Sequence, residues 1–354
     1  MPYGNNKERT SIMKKKNFIR KTISITLAAA CMTFTFTGCG NEKTDGTITF
    51  TNVSYDPTRE FYAAYNELFA EHYKEETGKD IELVQSHGGS GSQARSVIEG
   101  NDADVVTLAL AHDITAIEEA GLIDAGWMDE FDRNSSPYTS TIVFLVHSGN
   151  EKGINDWDDL TKDGVEIITP DPKSSGGACW NFLAAWQFAK EKFNGDEAAM
   201  KDFVAQIYDN VLVMDSGARG ATTTFVENGQ GDVLIAWENE ALLTLEEYPG
   251  EYELVTPSIS ILAEPSVAIV DENADKNGTQ EIAKDYLEYL YTEDAQRLAG
   301  ENFYRPSDEA ILNEFADTFD LTVNLCTIDD FGGWDQAYQD FFADDAIFDE
   351  IYSK

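Results

Sequence analysis

Five short loops carry the chemistry open to this chain: Ser54–Thr58 (SYDPT), Ser86–Ser92 (SHGGSGS), Pro172–Gly177 (PKSSGG), Asp215–Gly220 (DSGARG) and Ala236–Glu240 (AWENE). Each follows a run of strand-like residues and precedes a helix-like stretch. Such loops leave backbone N–H groups unpaired at the carboxyl edge of a sheet, where a helix's positive dipole end reinforces them. The chemistry this suits is hydrogen-bond donation to a small anion. In Ser174-Ser175-Gly176-Gly177 the adjacent glycines let the backbone approach a ligand closely. Ser175 reads either as an ordinary helix N-cap or as a donor to the ligand. Ser216-Gly217-Ala218-Arg219-Gly220 repeats the design and tips the reading toward ligand donation. Trp237 closes a buried-looking strand, where it is either core or an indole N–H with no acceptor function. Arg59 and Arg219 read as partners of carboxylates such as Asp56 rather than as direct ligands.

Other chemistries lack their residues. The loop His87–Ser92 could be read as a phosphate cradle, but it has no lysine and no Gly-Lys-Ser/Thr ending. The four histidines, His72, His87, His112 and His147, show no metal-ligand spacing. No Gly-x-Ser-x-Gly elbow is present. No catalytic residue, metal or cofactor is implied, and the expectation is a binding protein, not an enzyme.

The elements that position these loops read as α/β units. Thr47–Val53 alternates as a strand, and Asp56-Pro57 suits a helix N-cap and first turn. The helix that follows puts Phe61, Tyr65, Leu68, Phe69 and Tyr73 on one face. Ile81–Gln85 and the continuous apolar run Ala103–Leu110 complete a βαβαβ rhythm, which predicts a doubly wound lobe with a parallel sheet. A second rhythm runs through Val165–Thr169, a helix starting near Ser175, Val211–Met214 and Val233–Ala236. Tyr138–Val146 and Ser260–Val270 are two long strand-like segments, read as crossings between lobes. Glu281–Leu298 is expected as one helix, and Phe331–Tyr352 as a last, aromatic-rich one.

Ahead of this body stands a leader. Lys14–Lys16, Arg20 and Lys21 form a basic region, and Thr22–Phe36 is apolar over the length of a signal-peptide core. That stretch is too short for an ordinary membrane span. It ends in Phe36-Thr37-Gly38-Cys39, which looks like the lipobox of bacterial lipoproteins, with Cys39 as the lipid acceptor; a soluble secreted protein cleaved nearby is the alternative. Met13 opens a more typical signal peptide than Met1. Residues 1–38 hold seven of the 25 basic residues and one of the 65 acidic ones, leaving the mature chain near a formal charge of about −46. A chain so acidic has no footprint for nucleic acid or anionic lipid surfaces. Any anion site must therefore work through local donors, not net charge. Cys179 and Cys326 remain as one possible disulfide or two buried thiols.

Taken together, SYDPTRE, QSHGGSG, ADVVTLALA, SPYTSTIVFLV, ITPDPKSSGGA, DSGARGAT, DVLIAWENEA and ILAEP resemble the sulfate-binding proteins of bacterial ABC importers, from about Thr47 to Trp334. The thiosulfate-binding members share most of these motifs. The resemblance implies a type II periplasmic-binding-protein fold, two doubly wound α/β lobes joined by hinge strands around a ligand cleft. On that plan residues 1–38 are a lipoprotein signal peptide and 39–46 the lipidated cysteine and tether. Residues 47–140 with 262–330 make one lobe, and 141–261 with 331–354 the other.

It further implies seven donors to sulfate: the backbone N–H groups of Asp56, Ser90, Gly176, Gly177 and Ala218, the Ser175 hydroxyl and the Trp237 indole. One departure is Cys179, where relatives commonly carry a basic residue. The implied partners are sulfate or thiosulfate and an ABC permease with its cytoplasmic ATPase. The membrane is met through the lipid anchor alone, on the outer face of the cytoplasmic membrane, by a monomer. Competing readings are thiosulfate or molybdate as the main ligand, a phosphoester-processing enzyme, and a surface scaffold that uses the fold without its ligand.

Overall fold

The computed structural model describes residues 48–352; the leader, Cys39 and the tether lie outside the described residues. Two sheets organise the chain. The first has the order β10-β3-β1-β2, from β1 (Ile48–Tyr55), β2 (Ile81–Gly88), β3 (Val105–Leu108) and β10 (Ser266–Ile269). β1 pairs in parallel with β2 and β3, while β10 returns antiparallel on β3. The second has the order β6-β5-β7-β4-β8, from β4 (Ile142–His147), β5 (Ile167–Pro170), β6 (Val211–Asp215), β7 (Val233–Trp237) and β8 (Tyr252–Val255). β5 is parallel to β6 and β7, and β4 is antiparallel to β7 and β8. This is the expected pair of α/β lobes.

The two long strand-like segments each divide. Tyr138–Thr139 pairs with Arg305–Pro306, and β4 then begins at Ile142. Ser260–Val270 splits into β9 (Ile259–Ile261) and β10, with Pro265 lying in the break between them. Proline cannot donate to a strand ladder, so this break falls where its missing N–H is harmless. Where both segments pass between the sheets they touch through one antiparallel bridge, Ser140 to Ala263. A third passage runs through β11 (Asn324–Cys326), parallel to β9.

Helix α1 (Arg59–Thr77) buries Phe61, Tyr62, Tyr65, Phe69 and Tyr73 against Tyr286 and its neighbours. Leu68 is only partly buried, and Tyr62 takes the place expected of it. α2 (Ser90–Ile98) and α3 (Ala111–Glu119) follow β2 and β3. In the second lobe α4 (Gly176–Lys192), α5 (Glu197–Asp209), α6 (Ala218–Val226) and α7 (Glu238–Glu247) alternate with the strands. α4 is apolar on nearly every side and is buried along most of its length, its Trp180 and Phe182 fully so.

Two expected helices break. Glu281–Leu298 is two, Gln280–Tyr289 and Glu293–Glu301, because the Thr292 hydroxyl caps a new helix by accepting from the Ala295 N–H. The C-terminal stretch is a chain of short turns. Gly332 and Gly333 take φ of 82° and 83°, which stops the first turn at Phe331. Its aromatics still pack: Phe348 lies against Phe182 and Tyr208 of α4 and α5, with ring centroids 5.8 and 5.4 Å apart. Cys179 and Cys326 are both free and buried.

Candidate anion site

All five loops come together where the two sheets face each other. Their mutual approach is measured by how little room a single added methyl group would have. A Cβ on Gly176 would stand 2.9 Å from the Ser90 Cβ, and one on Gly89 would stand 2.7 Å from the Ser174 carbonyl. One on Gly217 would meet the Asp56 carboxylate at 2.8 Å, and one on Gly177 the Trp237 Nε1 at 3.1 Å. The Ser174 hydroxyl donates to the Ser216 carbonyl at 3.0 Å, tying two of the loops directly.

The donors sit where helices leave N–H groups without intrahelical partners. Ser90 opens α2, Gly176 and Gly177 open α4, and Ala218 opens α6. Asp56 begins a single 3-10 turn, Asp56–Thr58, whereas the sequence suggested that it caps α1; its carboxylate instead takes Arg59 at 2.7 Å. Ser175 holds the N-cap position of α4 with extended backbone, yet its hydroxyl makes no capping bond. Ser90, Ser175 and Trp237 are 2, 4 and 1 % exposed, so a hydrogen bond made to them is shielded from water. The Trp237 indole closes β7 as expected, and its N–H donates to the Gly177 carbonyl at 3.0 Å.

The neighbouring cations are committed elsewhere. Arg219 makes a two-pronged pair with Glu60 at 3.0 and 2.9 Å and a further contact with Glu240 at 2.9 Å. Burial would raise the Glu60 carboxyl, but Arg219 overrides it and holds it below its ordinary range. Glu240 is buried deeply enough that its pKa stays raised despite Arg219. His87, in the loop after β2, is pushed down by burial and is neutral at pH 7. The site therefore presents neutral donors at helix ends, with the Arg59 and Arg219 guanidinium groups paired to carboxylates.

Several residues that frame the site stand outside the seven expected donors. Asp113 accepts from the Ser90 hydroxyl at 2.5 Å, and that hydroxyl in turn accepts from the Ala109 N–H at 3.0 Å. Trp180 Nε1 donates across to the Ala109 carbonyl at 2.9 Å, and Asn239 donates to the Pro57 carbonyl at 3.2 Å. Arg305 and Glu238, 5 and 3 % exposed, pair at 2.6 Å beneath the loops. Glu60–Arg219, Asn239–Pro57 and Trp180–Ala109 each join an element of the first sheet's side to one of the second's. Among the described residues no group of three His, Cys, Asp or Glu side chains is placed to hold a metal ion.

Comparison with known proteins gives the family. Residues 58–305 match the bacterial extracellular solute-binding protein family. The sulfate-binding protein of Escherichia coli K12 is 56 % identical over 305 residues, covering 86 % of this chain and 92 % of its own. The thiosulfate-binding protein of Pseudomonas aeruginosa PAO1 is 44 % identical over 304 residues, covering 85 and 91 %. Among solved structures, the sulfate-binding protein SubI of Mycobacterium tuberculosis H37Rv superposes with a TM-score of 0.75 at 34 % identity, over 83 % of this chain and 99 % of that one. By its loops, its two sheets and these relatives, the chain belongs to the bacterial extracellular solute-binding proteins, in the group of sulfate- and thiosulfate-binding proteins.

Proposed function

We propose that this protein binds sulfate outside the cytoplasm and delivers it to an ABC importer. The observation that carries the reading is a site of helix-end N–H groups, one hydroxyl and one indole, beside arginines already paired with carboxylates. Sulfate near neutral pH is a dianion that only accepts hydrogen bonds. Hydrogen phosphate carries a proton that needs an acceptor, and a donor-only site leaves that proton unmatched; a mismatch of this kind discriminates by roughly 10⁴–10⁵. Preorganised dipoles replace water around the anion without a buried counter-charge, which would itself need desolvation.

The seven donors are Asp56, Ser90, Gly176, Gly177 and Ala218 through their N–H groups, Ser175 through its hydroxyl and Trp237 through its indole. For Trp237 this requires the anion to take or share the bond now made to Gly177. The two sheets form lobes, residues 47–140 with 262–330 and residues 141–261 with 331–354, hinged at the three passages between them. Ligand binding favours the closed arrangement, which docks on a permease served by an ATPase. A lipid on Cys39 keeps the monomer at the membrane.

Calorimetric titration of ligand-free protein with sulfate, thiosulfate, molybdate and phosphate tests the reading. Tight sulfate binding with none for phosphate is expected. A preference for thiosulfate, the second reading favoured by the 44 % identical relative, would keep the mechanism and change the cargo. No binding of any tetrahedral anion by folded, ligand-free protein would overturn it.

A further inference from the structure

A cavity of about 230 Å³ lies beside the passages between the sheets, and none of the seven proposed anion donors lines it. Glu264 and Ser266 reach it from the break between β9 and β10, and Asp329 from just past β11. His112 of α3 and Trp334 of the C-terminal segment stand at its sides. The lining carries three carboxylates, Glu264, Asp329 and Asp335, against one guanidinium, Arg133. None of these four side chains makes an ion pair or hydrogen bond among the described residues. In so acidic a chain the carboxylates alone would mark nothing, but two further features do. Ser266 is 4 % exposed, and its hydroxyl, on the cavity wall, has no hydrogen-bond partner among the described residues. A buried hydroxyl is rarely left so. The buried Trp334 stands on the same wall, steadied edge-on by Trp180 with ring centroids 4.7 Å apart. Glu264 is half-buried; burial first, and then Asp329, raise its carboxyl above the ordinary range, as befits a carboxylate short of a cation. His112, stacked on Tyr338 at 3.8 Å between centroids, is pushed down by burial and is neutral at pH 7, so it would not repel one.

We propose that this cavity is a second binding site, for a small organic ammonium ion. A primary ammonium has three N–H donors and no acceptor. The cavity answers with acceptors only: the Glu264 and Asp329 carboxylates and the Ser266 hydroxyl. The carbon chain of such a ligand finds apolar surface in Trp334 and Ile328, which also line the cavity. An indole face beside a partly desolvated cation adds to the attraction. A metal ion is the poorer match. Among the described residues no group of three His, Cys, Asp or Glu side chains is placed to hold one, and an indole wall offers an inorganic ion no ligand. The chain's net negative charge favours any cation at long range, but salt screens that field beyond roughly 8 Å. Selectivity for an organic cation then comes from the enclosure and from the match of donors to acceptors.

The test is a nuclear magnetic resonance titration with butylammonium chloride at neutral pH and physiological ionic strength, on protein carrying ¹⁵N in its six tryptophans. Trp334→Phe assigns the Trp334 indole signal, and Trp237→Phe assigns the one in the anion site. The expected result is a saturable movement of the Trp334 signal while the Trp237 signal stays in place. Glu264→Gln should weaken the Kd about tenfold or more, and Ser266→Ala about fivefold. The remaining indole signals report whether each variant keeps its fold. Tetramethylammonium carries the charge without an N–H donor and should bind more weakly than butylammonium. A Trp334 signal that does not move, or moves without saturating, overturns the proposal. So does an unchanged Kd in Glu264→Gln and Ser266→Ala, or tetramethylammonium binding as tightly as butylammonium. The response to sulfate is read separately at Trp237, so its absence would sink the carrier reading and leave this site standing.

Discussion

Replacing Gly176 by alanine asks whether the five loops must meet for the anion to be held. The added Cβ would lie 2.9 Å from Leu110 Cγ, 2.9 Å from Ser90 Cβ and 3.3 Å from Ala109 Cβ. All three belong to the first sheet's side, whereas Gly176 opens a helix of the second. None is the free end of a flexible side chain, so the lobes themselves must give way. Overpacking of this kind costs about 1–3 kcal/mol, which corresponds to a Kd about 5- to 150-fold weaker. The cost falls on the arrangement in which the lobes meet and is absent when they part. The melting temperature of the ligand-free protein should therefore change little, and alanine's better helix propensity acts equally in both arrangements. Gly177→Ala is the contrasting variant. Its Cβ would meet Trp237 Nε1 at 3.1 Å, within the same lobe, so it perturbs the donor itself however the lobes are placed. Calorimetry gives Kd, and small-angle scattering with and without sulfate gives the compaction. A Gly176→Ala variant that binds and compacts like the wild type would refute both the convergence of these loops around the ligand and the closing motion.

Arg219→Met leaves Glu240, at 2 % side-chain exposure, without its cation; a loss of about 3–5 kcal/mol, seen as a melting temperature lower by about 6–20 °C, is expected in thermal denaturation. Glu60→Gln touches a carboxylate with 40 % side-chain exposure and should cost under about 1 kcal/mol of stability. Because that pair joins the two lobes, the same variant should weaken sulfate binding, and an unchanged Kd would show that the pair is not part of closure. Cys179 and Cys326 should resist alkylation until the protein is unfolded, as peptide mass spectrometry would show; burial raises the Cys326 thiol to about 12. For Asp113 the folded carboxyl, at about 6, lies above the roughly 3.9 of an unfolded chain. The folded state then binds more protons in that window, and stability falls as pH rises from about 4 to 6. The melting temperature of Asp113→Asn relative to wild type should climb over that window and level off above it; a constant difference would refute the shift.

The site loops stand out in the sequence because their signals are local. A strand ending in Ser175-Gly176-Gly177 or Ser216-Gly217 can do little but turn and start a helix. Their convergence is not local, and neither are the partners that set their electrostatics. With 65 acidic residues in the chain, nothing in the neighbourhood of Glu60 or Asp113 marks them out, and the loop that holds Glu238 and Glu240 gives no hint of their arginine partners. Glu60 becomes Arg219's partner only because the fold brings residues 159 positions apart into contact. The helix break at Leu290–Thr292 was hidden for a similar reason. It has no glycine or proline, and a threonine cap competes with helix continuation only once packing chooses between them. Even Trp237, placed correctly at the end of its strand, gives no hint that its N–H would find the Gly177 carbonyl.

The chain's charge and its proposed cargo look mismatched, and the structure suggests why they are not. Salt screens the field of a body near −46 beyond roughly 8 Å, so an anion in the cleft responds mainly to what lies within that distance. There Arg59 answers Asp56, and Arg219 answers Glu60 and Glu240. These pairs commit both guanidinium groups, so the attraction an anion meets comes from oriented N–H groups. A free arginine in their place would attract any anion, phosphate included, since a cation does not ask whether its partner still carries a proton. Neutral donors do ask. On this argument, replacing Glu60 with lysine should improve encounter rates with every tetrahedral anion and narrow the gap between sulfate and phosphate. Competition binding against phosphate would decide it, and a gap as wide as in the wild type would mean that the paired arginines have no part in selectivity.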